Sequence, residues 1–136
     1  MSADNTLESD VADLVLRGID PAWRAAATGY VALFTSDPGE TGSLAAECSD
    51  AAYARVAVTK SSGWSTSGST RTNAGQVAWP TLSGAGSDLT HWAWVSSASG
   101  ATAYMLSGAL STPVPWAPGV KPVAEAGTLS TVIARR

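Results

Sequence analysis

Few residues in this chain have the types and spacing that enzyme chemistry requires. His91 is the only histidine, which excludes a two-histidine metal site. It lies in a strand-like stretch, where a hydrogen-bonded structural imidazole is favoured over a catalytic one. No serine stands in the Gly-x-Ser-x-Gly pattern of a nucleophile elbow. The glycines of 83–87 (SGAGS) lack a following helix that would direct amides at a phosphate, so they predict a turn. The sequence therefore predicts a protein that is not an enzyme.

Metal and cofactor chemistry has little more support. Glu40, Glu47 and Asp50 share one predicted loop, but the alternating acid pattern of a calcium loop is absent. Cys48 is the only cysteine, so neither an intrachain disulfide nor a cysteine-based metal cluster is possible. We expect a reduced, partly buried thiol, no metal and no cofactor.

Six tryptophans are the remaining candidates for binding chemistry. Trp92, Trp94 and Trp79 fit a core or its rim, whereas the other three lie in predicted linkers: Trp23, Trp64 and Trp116. Exposed aromatic rings can stack on sugars or anchor protein interfaces, and buried ones can cap a sandwich. The net charge of −3 and the absence of a Lys/Arg cluster argue against nucleic acid as the partner.

The stretch 88–110 (DLTHWAWVSSASGATAYMLSGAL) is the element around which we expect the fold to form. Side chains alternate from Leu89 to Val95, with Trp92 and Trp94 on one face and His91 on the other. A Ser/Gly turn at 96–100 then separates this arm from a second alternating one. Period-two alternation interrupted by such a turn predicts a β-hairpin.

The remaining segments predict one helix and several strands. Apolar residues recur at helical spacing in 5–17, which Asn5 or Thr6 can cap and Gly18 can end. Strands are predicted at 28–36, 53–59, 75–79, 120–124 and after Gly127, where Leu129, Thr131 and Ile133 share a face. In 53–59 the alternation places Arg55 in solvent. The segment 60–73 predicts a long loop or irregular edge hairpin, and four prolines in 111–122 exclude a central strand.

These elements predict a mainly β protein: an antiparallel β-sandwich, jelly-roll or Greek-key like, of about seven strands with one short N-terminal α-helix. A single domain is expected over 1–136, with an arm and helix in 1–18 and the sandwich in 28–134. No run approaches the ~18 apolar residues of a membrane span. The acidic, polar start of the chain is unlike a signal peptide, so we expect a soluble protein made in the cytosol.

Several stretches together resemble a family of small tailed-bacteriophage virion proteins, usually labelled tail fibre-like proteins. The resemblance extends over nearly the whole chain, in the order Leu14–Gly18, Tyr30–Pro38, Tyr53–Thr59, Leu89–Val95, Gly108–Pro113 and Ala126–Leu129. It implies a β-sandwich component of the virion without enzymatic activity.

Within that resemblance, the small size and low charge favour a capsid decoration (cement) protein on the head surface, which would bind the major capsid protein, over a tail fibre or spike component. A carbohydrate-binding module that uses Trp64 or Trp116 is the third alternative. We expect a homo-oligomer, by analogy a trimer, that binds other virion proteins but neither nucleic acid nor membrane. The candidate interface residues are Leu7, Val11, Leu14, Trp64 and Trp116.

Overall fold

A computed structural model describes residues 2–132 of the chain. These residues form one α-helix, one 3-10 turn and antiparallel strands in three sheets. The helical elements are α1 (Asn5–Arg17) and the turn Ala22–Ala25. The strands are β1 (Ser2–Ala3), β2 (Thr28–Phe34), β3 (Val56–Thr59), β4 (Trp64–Ser67), β5 (Thr70–Asn73), β6 (Val77–Ala78), β7 (Leu89–Val95), β8 (Met105–Val114), β9 (Val123–Ala124) and β10 (Ser130–Val132).

The predicted mainly β, antiparallel architecture with one N-terminal helix is confirmed. More strands form than the seven or so expected, and several are only two residues long. The jelly-roll or Greek-key connectivity stays a prediction. The predicted place of Ile133 in the last strand, and the sandwich boundary at 134, lie outside the described residues.

The predicted hairpin is the centre of the largest sheet, whose strand order is β1-β8-β7-β2-β3. Strand β7 pairs with β8 so that Trp92 is opposite Gly108 and Val95 is opposite Met105. The prolines of 111–122 were predicted to exclude a central strand, yet strand β8 continues to Val114 and includes Pro113. Only Ser107 and Leu106 of β8 pair with β1, which leaves the proline on an edge where no amide is required.

Both faces of the central sheet are covered. On one face Val31, Leu33 and Trp92 pack against residues from β6, β9 and the loops between the small sheets. On the other face Phe34 and Met105, among others, lie under the segment that contains Leu44 and Ala46. The sequence predicted that 28–36 would be covered on two sides, and β2 has buried residues on both of its faces.

The N-cap of helix α1 lies one residue before the first of the two predicted cap residues. Asp4, rather than Asn5 or Thr6, is the N-cap, and its carboxylate accepts a hydrogen bond from the Leu7 amide at 2.9 Å. Gly18 ends the helix with a φ of 64°, the left-handed conformation that was predicted for it. Among residues 2–132, no helix is long and apolar enough to cross a bilayer.

Candidate functional site

A cavity of about 550 Å³ lies between α1, the central sheet and the β4–β5–β10 sheet. Its volume is in the range of sites that hold small organic ligands. Aromatic and basic residues dominate its walls, which consist of Leu7, Trp23, Arg24, Lys60, Ser61, Trp64, Thr66, Arg71, Trp92, Trp94, Tyr104, Leu106 and Thr131. We call this feature the aromatic pocket.

Several of the aromatic rings that line the pocket are in mutual contact. Trp64, from β4, stacks on Trp92 with ring centroids 5.9 Å apart and meets Trp94 edge-on at 5.3 Å. Trp23, from the 3-10 turn, lies 4.8 Å from the ring of Tyr104. Offset and edge-to-face arrangements at such distances are favourable, so the rings hold one another in place.

Trp94 is positioned by a glycine on the neighbouring strand. A Cβ at Gly29 would lie 2.1 Å from Cζ2 of the Trp94 ring, so the indole is in contact with bare backbone. Any larger residue at position 29 would displace the ring from the pocket wall. A strand glycine of this kind allows the close approach of another group.

Trp23 is held from two sides. Its indole N–H donates to the carboxylate of Asp10 in α1 at 2.7 Å. Its backbone carbonyl accepts a hydrogen bond from Nζ of Lys60 at 2.7 Å, and the same ammonium lies 5.7 Å from the Trp23 ring centroid, within cation–π range. The helix and the turn before β4 therefore fix this side of the pocket together.

Three cations line the pocket, and no Asp or Glu stands among its lining residues. Arg24 is paired with Asp20. Arg71 donates instead to the carbonyls of Gly68 at 2.8 Å and Thr70 at 3.0 Å. Among the described residues, neither Lys60 nor Arg71 forms an ion pair with a carboxylate. The pocket is thus cationic in a chain whose net charge is −3.

Two buried polar atoms of the pocket residues lack a hydrogen-bond partner within the described part of the chain: Nε1 of Trp92 and Oγ1 of Thr131. Trp92 is fully buried and Thr131 is 7% exposed. Buried donors and acceptors are satisfied in the great majority of cases. The two atoms are exceptions to this pattern among the described residues.

The predicted interface residues of α1 divide into two groups. Leu7 is half-buried in the pocket wall and Leu14 is half-buried, whereas Val11 is 39% exposed. Further along, Val15 and Leu16 are 73% and 82% exposed. No residue of α1 is buried, so the second half of the helix presents apolar side chains to the surroundings.

The two predicted aromatic candidates are in different places. Trp64 lines the pocket, but Trp116 does not. The Trp116 ring covers Gly86, where a Cβ would lie 2.3 Å from it, and its N–H donates to Asp50 at 3.0 Å. It is half-buried and serves to close a loop cluster. A stacking role is thus better placed at Trp64.

Asp50 organises that loop cluster. Its carboxylate accepts hydrogen bonds from the amides of Ala52, Ser83 and Gly84, from the Ser83 hydroxyl and from Trp116. The Ser83 amide, followed by the other donors, holds the pKa of Asp50 well below its ordinary value. The Asp50 carboxylate therefore has a structural role.

The other residues considered for chemistry also have structural partners. Nδ1 of His91 lies 2.8 Å from Oγ1 of Thr90. Glu47 forms a bidentate pair with Arg55, and burial raises the pKa of the Cys48 thiol. The described residues contain no group of three or more His, Cys, Asp or Glu side chains that could hold a metal ion.

Sequence reasoning identified Trp64 and Leu7 but not the rest of the pocket. Trp23, Tyr104, Lys60 and Arg71 come from four separate segments, and only the fold brings them together. Trp23 did give a local indication: it follows Pro21 in a short predicted linker, where a large aromatic side chain needs another part of the protein to pack against. Nothing local pointed to Asp10 as that partner.

Comparison with known families extends this description. A family model described as "Podophage GP4 fiber I protein gp80" matches residues 2–131. The chain belongs to this gp80 fibre family. Among curated proteins, no sequence matches the chain. The match confirms the resemblance to tail fibre-like phage proteins that the sequence suggested.

Membership in the gp80 fibre family makes the chain a phage fibre-type structural protein, a component of the virion whose partners are other virion proteins. The family is one of structural fibre proteins. The exposed half of α1 and the aromatic pocket are candidate contact surfaces of this gp80 family member.

Proposed function

We propose that the protein is a capsid decoration (cement) protein, which binds the outside of the phage head and stabilises contacts between major capsid subunits. The observation that supports this proposal is the apolar second half of α1, where Val15 and Leu16 are 73% and 82% exposed. Val11 and Ile19, near them in the chain, are 39% and 43% exposed. Clustered apolar side chains on a protein surface mark interaction sites.

The start of α1 is fixed to the body of the protein, which makes this surface a rigid one. The amide of Asp4 donates to the carbonyl of Met105 at 2.9 Å, and that of Asn5 donates to Glu40 at 2.8 Å. A helix that is already formed and anchored loses little conformational entropy on binding. It therefore suits a docking function better than a free arm would.

The expected energetics favour many copies acting together. Burial of one Val or Leu side chain contributes about 1.5–3 kcal/mol, and association costs about 4–15 kcal/mol. A single helix surface is thus a weak ligand for a capsid subunit. We propose that a trimer presents three such helices at once, so that avidity supplies the affinity.

Three of the predicted contact residues lie on α1, and they differ in exposure. Val11 lies in the exposed surface, and Leu14 lies at its half-buried edge. Leu7 is turned into the aromatic pocket wall. We propose Val11, Val15 and Leu16 as the principal contacts with the head.

Binding of the purified protein to phage heads that lack it is the direct test. The variant Val15→Ser/Leu16→Ser should bind at least about tenfold more weakly, because two buried apolar side chains are lost. Val123→Ser is the matched control, since Val123 is an exposed apolar residue of β9 (38%) outside α1. Light scattering of the free protein reports whether it is a trimer.

Cryo-electron microscopy of the complete particle decides between the proposal and its alternatives. Density for the protein over the head shell, in many copies, is the expected result. Density confined to the tail would overturn the cement proposal in favour of a tail fibre or spike component that acts in host adsorption. A protein absent from both, with affinity for sugars, would favour a carbohydrate-binding module.

A further inference from the structure

We infer that the aromatic pocket binds an acidic saccharide, a pyranose ring that carries a carboxylate. This inference does not rest on the capsid proposal, since the pocket has the same walls wherever in the virion the protein sits. It follows from three properties of the walls: flat aromatic faces, unpaired positive charge and small hydroxyl groups.

The aromatic faces match the ring faces of a sugar. Trp64 and Trp94 meet at right angles, with an interplanar angle of 89°, and Trp23 with Tyr104 supplies another aromatic surface. The C–H groups of a pyranose ring form an apolar face that packs against such rings. Two differently oriented walls can contact one ring on its face and its edge.

The charges of the pocket select the acidic form of the ligand. Lys60 and Arg71 are anchored by backbone carbonyls of Trp23, Gly68 and Thr70, so their side chains are positioned but their charge is not neutralised. A carboxylate that reaches either group forms a charge-assisted hydrogen bond, and arginine can bind it in a bidentate manner. A neutral sugar would leave both charges without a counter-ion.

The uncharged polar groups suit a ligand rich in hydroxyls. Ser61 and Thr66 are among the lining residues, and each of their hydroxyl groups can donate or accept. The lining contains no Asn or Gln, the side chains that read the edge of a base in a bidentate manner. This composition favours a saccharide over a nucleotide.

The experiment is a titration of the full-length protein with a panel of uronic-acid oligosaccharides, followed by the indole N–H signals in ¹H–¹⁵N NMR spectra. Signals of the pocket residues Trp23, Trp64 and Trp94 are expected to shift. Those of Trp79 and Trp116 should not, because their N–H groups donate to Val31 and Asp50 away from the pocket. The methyl esters of the same oligosaccharides are the matched ligands without charge.

Charge variants test the electrostatic part without disturbing the core. Lys60→Gln and Arg71→Gln should each weaken binding by about tenfold, the ratio expected for one charge-assisted hydrogen bond. Lys121→Gln removes a lysine that does not line the pocket and should leave the affinity unchanged. Unchanged chemical shifts elsewhere in each variant show that it is folded.

Several results would overturn the inference. If the esters bind as well as the acids, the pocket does not select an acidic ligand. If no uronate shifts the pocket signals at millimolar concentration, or if a single-stranded oligonucleotide does so in its place, the pocket is not a saccharide site. Shifts confined to Trp79 and Trp116 would place binding elsewhere and refute the assignment.

Discussion

Replacement of Arg55 tests how much a buried ion pair contributes to the stability of the fold. The Arg55 side chain is 3% exposed and donates to both carboxylate oxygens of Glu47, at 2.8 and 2.9 Å. It also donates to the carbonyls of Ser97 at 2.9 Å and Gly100 at 2.8 Å in the β7–β8 turn. Arg55→Met keeps an unbranched apolar side chain in place of the arginine stem and removes every one of these bonds.

The size of the effect follows from what the substitution leaves behind. Glu47 is only 15% exposed, so its carboxylate would remain largely desolvated with no cation beside it. Loss of one partner of such a pair typically costs about 3–5 kcal/mol, a large share of the roughly 5–15 kcal/mol of a whole domain. For a chain of this size we expect the melting temperature to fall by about 10–20 °C.

Urea unfolding and thermal melts, followed by circular dichroism, measure this loss. In Glu47→Met/Arg55→Met both charges are gone, and we expect at least half of the stability to return, because an apolar pair replaces a buried ion pair at little cost. Arg24→Met is the control: Arg24 pairs with Asp20 in solvent, with side chains 58% and 64% exposed, and should cost under about 1 kcal/mol.

The reasoning about Arg55 would be refuted by either of two results. One is a single variant that loses less than about 1 kcal/mol, the value of a surface pair. The other is a double variant that is as unstable as the sum of the two single ones, since that would mean that the side chains do not act as a pair.

Three further predictions concern other parts of the fold. Gly29→Ala should destabilise the fold by about 1–3 kcal/mol and change the tryptophan fluorescence, because its Cβ would lie 2.1 Å from the Trp94 ring. Gly75→Ala is the control: a Cβ there would have no neighbour within 4 Å, so this variant should be neutral or slightly stabilising in the same urea titration. The pKa of Asp50 is lowered in the folded state, so its ionised carboxylate stabilises the fold at pH values above the unfolded pKa of about 3.9, and this stabilisation is lost as the pH falls below that value. Asp50→Asn should therefore be less stable than the wild type at neutral pH and lose less stability on acidification, as melts at several pH values would reveal. Burial raises the pKa of Cys48, so a thiol reagent at pH 8 should modify it only as fast as the protein unfolds, and rapid labelling of the folded protein would contradict this.

Local pattern was sufficient to predict the elements that carry their own signal. The alternation of Leu89 to Val95 predicted β7 and placed Trp92 and Trp94 on one face, as observed. The apolar spacing and Gly18 predicted the end of α1. In each case the residues that decide the structure lie within a few positions of one another, so that the sequence itself contains the information.

Long-range partners explain what could not be predicted. Arg55 was predicted to face solvent because it alternates with Val56. In the structure its side chain is 3% exposed and pairs with Glu47, a residue of a separate segment that no alternation within 53–59 can indicate. The aromatic pocket has the same origin, since Trp23 and Tyr104 are 81 positions apart in the chain.

Three indole rings lie on glycines: Trp94 on Gly29, Trp92 on Gly108 and Trp116 on Gly86. Neither residue of such a Trp–Gly pair can be substituted independently of the other. A side chain at the glycine would displace the ring, and a smaller residue in place of the tryptophan would expose the backbone of the glycine. Among homologous phage proteins the two positions should therefore change together or remain fixed together. In a lineage that has lost one tryptophan, the first place to look for the compensating substitution is the glycine beneath it.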